Sequence, residues 1–308
     1  MHKDLLSICT GSVVAIWYDS LMPGTETERG PASPAVRRQI LGTELRRLRE
    51  RTNRSGDHVA RVLKWSPSKV SRYELARTAL KLTEIAALLD LYKVAGDERD
   101  RLMALAEAAA GKAWWEQDGI PAAYQEVISL ENEAAAISAW SAAGIPALLQ
   151  TGAYARHAVT SWGSVDPAPP ALVDRLVAAR LTRQKILTRD PAPCLAVVLD
   201  EAALRRMTGS PAVMREQLQS LARPGVSLRV LPFTAPHPAF GDSFTVIRVE
   251  ALSAWDVVVM EDAGHGYHLI KGEREAFLHG IAFRQLADAA LDETASRALI
   301  RDAARTWS

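Results

Sequence analysis

Residues 65–77 read WSPSKVSRYELAR, a stretch too polar for a core helix that nevertheless opens with helix signals. Ser66 has the short side-chain oxygen of a good N-cap, and Pro67 beside it has its φ preset and lacks an N–H the first turn does not use. Val70 and Tyr73, three apart, give a narrow apolar stripe, while Ser68, Lys69, Ser71 and Arg72 face away from it. An outer face of short hydroxyls and long cations suits contact with something polar and anionic.

The flanking sequence carries the same charge. Between Val36 and Lys81 there are thirteen Lys and Arg against four acids, Glu44, Glu50, Asp57 and Glu74, so this segment is about +9. The whole chain of 308 residues is +1, which leaves the remainder at about −8. A compact basic block joined to an acidic remainder suggests a polyanion partner for one part alone; a solvated basic face is the plainer alternative. The chain is long enough for two domains, and 48% hydrophobic residues is ordinary globular composition. No apolar run approaches the ~20 residues of a membrane helix. Cys9 and Cys194 stand far apart and form neither a disulfide framework nor a metal cluster, which fits a cytoplasmic protein.

Working outward from the quoted stretch, helical periodicity runs from 36 to 110. Leu41, Leu45 and Leu48 mark a first helix, and Val59, Ala60 and Leu63 a second after Ser55. The quoted stretch is the third, Leu82, Ile85, Leu88 and Leu89 mark a fourth, and Leu102 and Leu105 a fifth near Glu98–Ala110. Residues 1–35 carry no sustained period and are expected to be a disordered or non-native leader, with Met22 as an alternative start. The expected fold is therefore multidomain, with an all-α five-helix domain over 36–110 followed by a mixed α/β domain over 111–308.

In the second domain the pattern predicts a helix over Leu130–Ala143, a loop at GIPALLQTG and a long helix near Pro170–Leu187. CLAVVLD (194–200) and VSLRVLPF (226–233) read as parallel strands around a helix Glu201–Ala222. SFTVIRVE (243–250) and WDVVVMED (255–262) read as an antiparallel pair joined at ALSA, with YHLI (267–270) as an edge strand. Helices Gly272–Ala290 and Glu293–Thr306 follow. Trp114, Trp115, Tyr124, Trp140, Tyr154 and Trp162 either pack the core or line an effector pocket or partner groove.

The most specific signal lies in 56–75. Two short helices packed at a sharp angle need a small residue where they touch, and Ala60 supplies it. Val59 and Leu63 pack beside it, Trp65 follows the turn, and Val70 and Tyr73 seat the next helix. Over Leu41–Leu91, with "LGTELRRLRER", "HVARVLKWSPSKVSRYE" and "IAALLDLY", the sequence resembles the XRE (Cro/cI-type) helix-turn-helix family. It departs from that family in having Gly56 where Gln usually meets a phosphate, and Lys64 where the turn usually has Gly. The resemblance implies a recognition helix in the DNA major groove. Ser66, Pro67, Ser68, Ser71 and Arg72 then reach bases, and Arg72 can donate twice to a guanine. Arg54, Lys64, Lys69 and Arg77 fall to phosphates. An internal ion pair between Arg49 and Glu74 is implied in the same way.

"GIPALLQTGAYAR", "VVLDEAALRR", "VMREQLQSLA" and "VSLRVLPF" resemble the C-terminal domain of WhiJ-like actinobacterial regulators, which are antitoxin-like and often encoded beside a small protein. That resemblance implies a small co-encoded partner. GHGYHL (264–269) lacks the third glycine of a dinucleotide loop, and His265 and His268 with Glu261 have poor spacing for a metal. No catalytic residue, metal site or cofactor is expected. The expected function is transcription regulation by a cytoplasmic, dimeric, operator-binding protein, controlled through its C-terminal domain by a partner protein or ligand. An antitoxin that sequesters its neighbour is the alternative, and an autoregulating enzyme a more remote one.

Overall fold

Leucines at helical spacing in the first unit need a shared interior, and the computed structural model gives them one. It describes residues 34–78, 81–111, 113–116, 119–162, 169–221, 226–237, 242–249, 256–262 and 266–307. The expected leader, apart from its last two positions, lies outside the described residues, as do the ALSA turn and His265. The chain divides into two units between Gln117 and Asp118.

Among the described residues the smaller unit has five helices: α1 (Pro34–Arg51), α2 (Gly56–Leu63), α3 (Pro67–Glu74), α4 (Leu82–Leu91) and α5 (Gly96–Ala109). Leu41, Leu45 and Leu48 of α1, Ile85 and Leu88 of α4 and Leu102 of α5 are all at most 1% exposed and form one core with Val70 and Tyr73. Four of these helices end alike. Asn53, Lys64, Ala76 and Lys93 have φ of 52°, 56°, 55° and 56°. After each, the next residue's N–H reaches back to Arg49, Ala60, Arg72 or Leu89 at 3.1, 2.8, 2.8 and 2.9 Å. Such closures satisfy carbonyls that a helix end leaves open, and glycine is their usual residue. Here none of the four is glycine.

The larger unit begins with α6 (Ala122–Glu133) and β1 (Ala136–Ser141), then α7 (Gly152–Trp162), α8 (Pro170–Arg183) and β2 (Cys194–Asp200). It continues with α9 (Ala202–Arg205), α10 (Pro211–Leu221), β3 (Ser227–Leu231), β4 (Phe244–Arg248), β5 (Val257–Asp262) and β6 (Gly266–Ile270), and ends with α11 (Glu273–Ala289) and α12 (Glu293–Thr306). Strand order is β3-β2-β1-β4-β5-β6. β1, β2 and β3 run parallel, and β4, β5 and β6 pair antiparallel, so β1 is where the two halves join. Both faces are covered: Ala139, Val197 and Leu199 meet α10 and α12, while Trp140, Val198 and Phe244 meet α11. Period-two alternation sends successive residues of each strand to opposite faces, so that Leu228 and Val230 of β3 join Val197 and Leu199 on one face while Leu231 joins Val198 on the other.

Three readings of this unit need correction. The expected helix Leu130–Ala143 is instead the end of α6 followed by β1, a strand buried from Ile137 to Ser141. Its Ala and Ser residues carry no strand signature of their own; pairing on both edges decides the conformation. AYARHAVTSW, for which no element was expected, lies in α7. The single helix expected over Glu201–Ala222 is broken in two: Gly209 has φ of 76° and Pro211 starts α10. A positive φ and a proline each end a helix.

Candidate nucleic-acid interface

The geometry of α2 and α3 follows from three local features. Ser55 accepts the His58 N–H at 3.1 Å and starts α2. Lys64 then takes the left-handed conformation, which turns the chain sharply into α3. Ala60, 2% exposed, provides the close contact beneath. Gly42 of α1 completes the seat: a Cβ there would lie 2.6 Å from the Glu74 carbonyl oxygen and 2.9 Å from that of Tyr73. Helix α1 therefore passes against the end of α3 at a distance only glycine allows. A lone glycine inside a helical pattern was the available signal for this contact, and sequence reasoning assigned it no role.

Side chains fix α3 from two directions, α1 and α4. Arg49 holds Glu74 by two bonds, Nε to Oε1 at 2.6 Å and Nη2 to Oε2 at 3.0 Å, and its Nη1 donates to the Arg54 carbonyl at 2.9 Å. The Tyr73 hydroxyl donates to Glu84 Oε2 at 2.5 Å, linking α3 to α4. Burial, then the Glu84 carboxylate, pushes the Tyr73 phenol up to about 12. Burial alone would raise the Glu84 carboxyl, but hydrogen bonds from Lys69 and Tyr73 outweigh it and leave Glu84 below the usual carboxylate range. Glu84 is the member of this constellation that sequence reasoning missed.

The outer face is then set. Val70 and Tyr73 are 2% exposed, whereas Ser66, Pro67, Ser68, Ser71 and Arg72 are all exposed. Ser66 does not cap α3 with its side chain; its Oγ lies 3.1 Å from Ser68 Oγ. Arg61, Lys64, Arg72 and Arg77 are exposed and make no side-chain ion pair or hydrogen bond among the described residues. Lys69 differs from them. Its Nζ lies 2.8 Å from Glu84 Oε1 and 4.4 Å from the centre of the Trp65 ring, so a phosphate has to compete with both. Arg54 is half-buried, with Nη1 3.0 Å from His58 Nε2. Arg61 was not among the expected phosphate contacts, yet it is exposed on α2, the helix that precedes α3.

The other expected sites are scattered. Tyr124, Trp140 and Tyr154 are buried in the larger unit, Trp114 and Trp115 meet edge to face at 5.4 Å, and the side chain of Trp162 lies outside the described residues. His268 and Glu261 sit on neighbouring strands, and among the described residues no group of three or more His, Cys, Asp or Glu is arranged to hold a metal ion. No described helix is long and apolar enough to cross a membrane.

Residues 40–102 match the model of a helix-turn-helix domain, which implies DNA binding by the smaller unit. No curated protein and no solved structure matches the chain. Residues 124–302 match a domain of unknown function, DUF5753. That match spans more than half of the 308 residues, and the chain accordingly belongs to the DUF5753 family, with a helix-turn-helix domain preceding the family domain.

Proposed function

We propose that the chain is a sequence-specific transcription regulator of XRE type, which reads its operator with α3 and is controlled through its C-terminal domain. One observation carries the reading. Five polar or small residues, Ser66, Pro67, Ser68, Ser71 and Arg72, are exposed at the start and on the outer face of a helix whose Val70 and Tyr73 are buried, and Arg72 has no internal partner among the described residues. Arg72 would donate to guanine O6 and N7, and the serine hydroxyls would donate to acceptor edges or accept from donor edges. Lys64, Arg77 and Arg54 would set register at phosphates, joined by Arg61; Lys69 would do so only after leaving Glu84.

A homodimer would place two such helices one DNA turn apart, roughly 34 Å. A small co-encoded protein, as in WhiJ-like regulators, or a small ligand would bind the C-terminal domain and change that arrangement. The acidic balance of the chain outside 36–81, about −8, supports a role for that part other than holding DNA.

The test is selection of a binding sequence from random duplexes by the full chain, followed by anisotropy with variants. Arg72→Ala is expected to cost roughly 1–3 kcal/mol at the selected site and to relax one base position. Arg61→Ala is expected to weaken selected and random DNA about equally. Unchanged affinities for both DNAs with Arg72→Ala would overturn the placement of α3 in the groove.

A further inference from the structure

The larger unit contains a buried ion pair that the described residues do not fully satisfy. Glu131 near the end of α6 and Arg183 at the end of α8 have side chains 4% and 5% exposed, joined by one bond, Arg183 Nη2 to Glu131 Oε1 at 2.5 Å. Among the described residues, Glu131 Oε2 and Arg183 Nε and Nη1 are buried without a hydrogen-bond partner. Burial pushes the Glu131 carboxyl up, against the pull of Arg183. A buried pair is tolerated when further hydrogen bonds satisfy its remaining lone pairs and protons. Here one acceptor and two donors are left over.

Both residues line a cavity of about 50 Å³ between α6, α8 and the sheet. Ile137, Leu195 and Val259 supply apolar lining, and Glu261 is a second carboxylate on the wall. On the usual scale of ~10–15 Å³ per water, this is room for roughly four waters, or for an organic molecule no larger than the smallest amino acids. The guanidinium is held in place: Arg183 lies 5.2 Å from the centre of the Tyr124 ring, which stacks on Tyr267 at 5.1 Å and 7°. The neighbouring charges do not neutralise the pair. Arg180 donates to Gln150 at 2.9 Å and lies 4.0 Å from Glu261.

We infer that this cavity binds a compact zwitterion of the aliphatic α-amino-acid kind, its carboxylate on Arg183, its ammonium on Glu131 and its side chain against Ile137, Leu195 and Val259. The chemistry selects for both groups at once. A molecule with the carboxylate alone leaves Glu131 Oε2 unpaired, and one with the ammonium alone leaves the two Arg183 donors unpaired, which is how buried polar groups discriminate.

The experiment uses the full chain without DNA, so its failure is distinguishable from failure of the DNA reading. Thermal melting and calorimetric titration are run with glycine, L-alanine and L-2-aminobutyrate, and with propionate and ethylamine as the two half-molecules of alanine. The expected result is a melting-temperature rise of several degrees and saturable heat with at least one of the amino acids, and neither with the half-molecules. Glu131→Gln is expected to abolish the response. If that variant does not fold, Val259→Phe, which fills the cavity without removing a charge, is expected to do the same. No response to any of the three amino acids, or an equal response to a half-molecule, would overturn the inference and leave a cavity that holds water.

Discussion

Arg49 and Glu74, 25 residues apart, form a two-bond pair at 2.6 and 3.0 Å with side chains 15% and 11% exposed. It ties the end of α1 to the end of α3, so the attitude of the helix proposed to face DNA depends on a charge pair well removed from its outer face. Truncating one partner strands the other in a poorly solvated place. Arg49→Ala and Glu74→Ala are each expected to cost about 2–3 kcal/mol, more than an exposed pair and less than a fully buried one. A double-mutant cycle by denaturant unfolding measures the coupling, and an additive result would show that the pair does not act as a unit.

Gly42 lies against the same end of α3. Alanine is the better helix former by up to ~1 kcal/mol, so on an open helix Gly42→Ala would stabilise. A Cβ 2.6 Å from the Glu74 carbonyl oxygen reverses the sign, because backbone on both sides has to move. The expected outcome is a loss of about 1–3 kcal/mol together with weaker DNA binding. A stabilised variant with full affinity would mean that α1 and α3 separate freely.

Lys64 combines an unfavourable backbone conformation with a cation beside the proposed DNA face. Lys64→Gly is therefore expected to change stability and binding in opposite directions. Stability rises by about 1 kcal/mol through relief at φ 56°. Affinity falls, and the slope of log K against log salt drops by about one phosphate contact. Thermal melts and anisotropy across a salt series read the two effects separately.

The depressed Glu84 carboxyl makes the smaller unit sensitive to acid. A folded-state pKa below the unfolded value contributes stability that is present above the unfolded value, about 4.3, and is lost as pH falls through the folded one. Wild-type stability is expected to decline steeply below that point. Glu84→Gln, which keeps a hydrogen-bond acceptor for Tyr73 but no charge for Lys69, is expected to be less stable at neutral pH and to show a shallower acid limb. Parallel acid limbs in the two proteins would rule Glu84 out as the source.

The first unit was legible because its information is local. Leu41, Leu45 and Leu48 repeat at the helical period, Ser55 and Pro67 mark helix starts, and one outer face of α3 is polar throughout; these are properties of neighbouring residues. What only the tertiary structure decided depends on residues far apart in sequence. AISAWS becomes a strand because Ala136–Ser141 pairs with Cys194–Leu199 on one edge and Ala136–Trp140 pairs with Phe244–Arg248 on the other, which overrides the helical leaning of its alanines. Glu131 and Arg183, 52 residues apart, look like two unrelated surface charges until α6 and α8 bury them together. Gly42 reads as a weak point in a helix until the carbonyls of α3 arrive above it. Periodicity and capping are written along the chain, whereas close approach and desolvation exist only between segments that folding brings together.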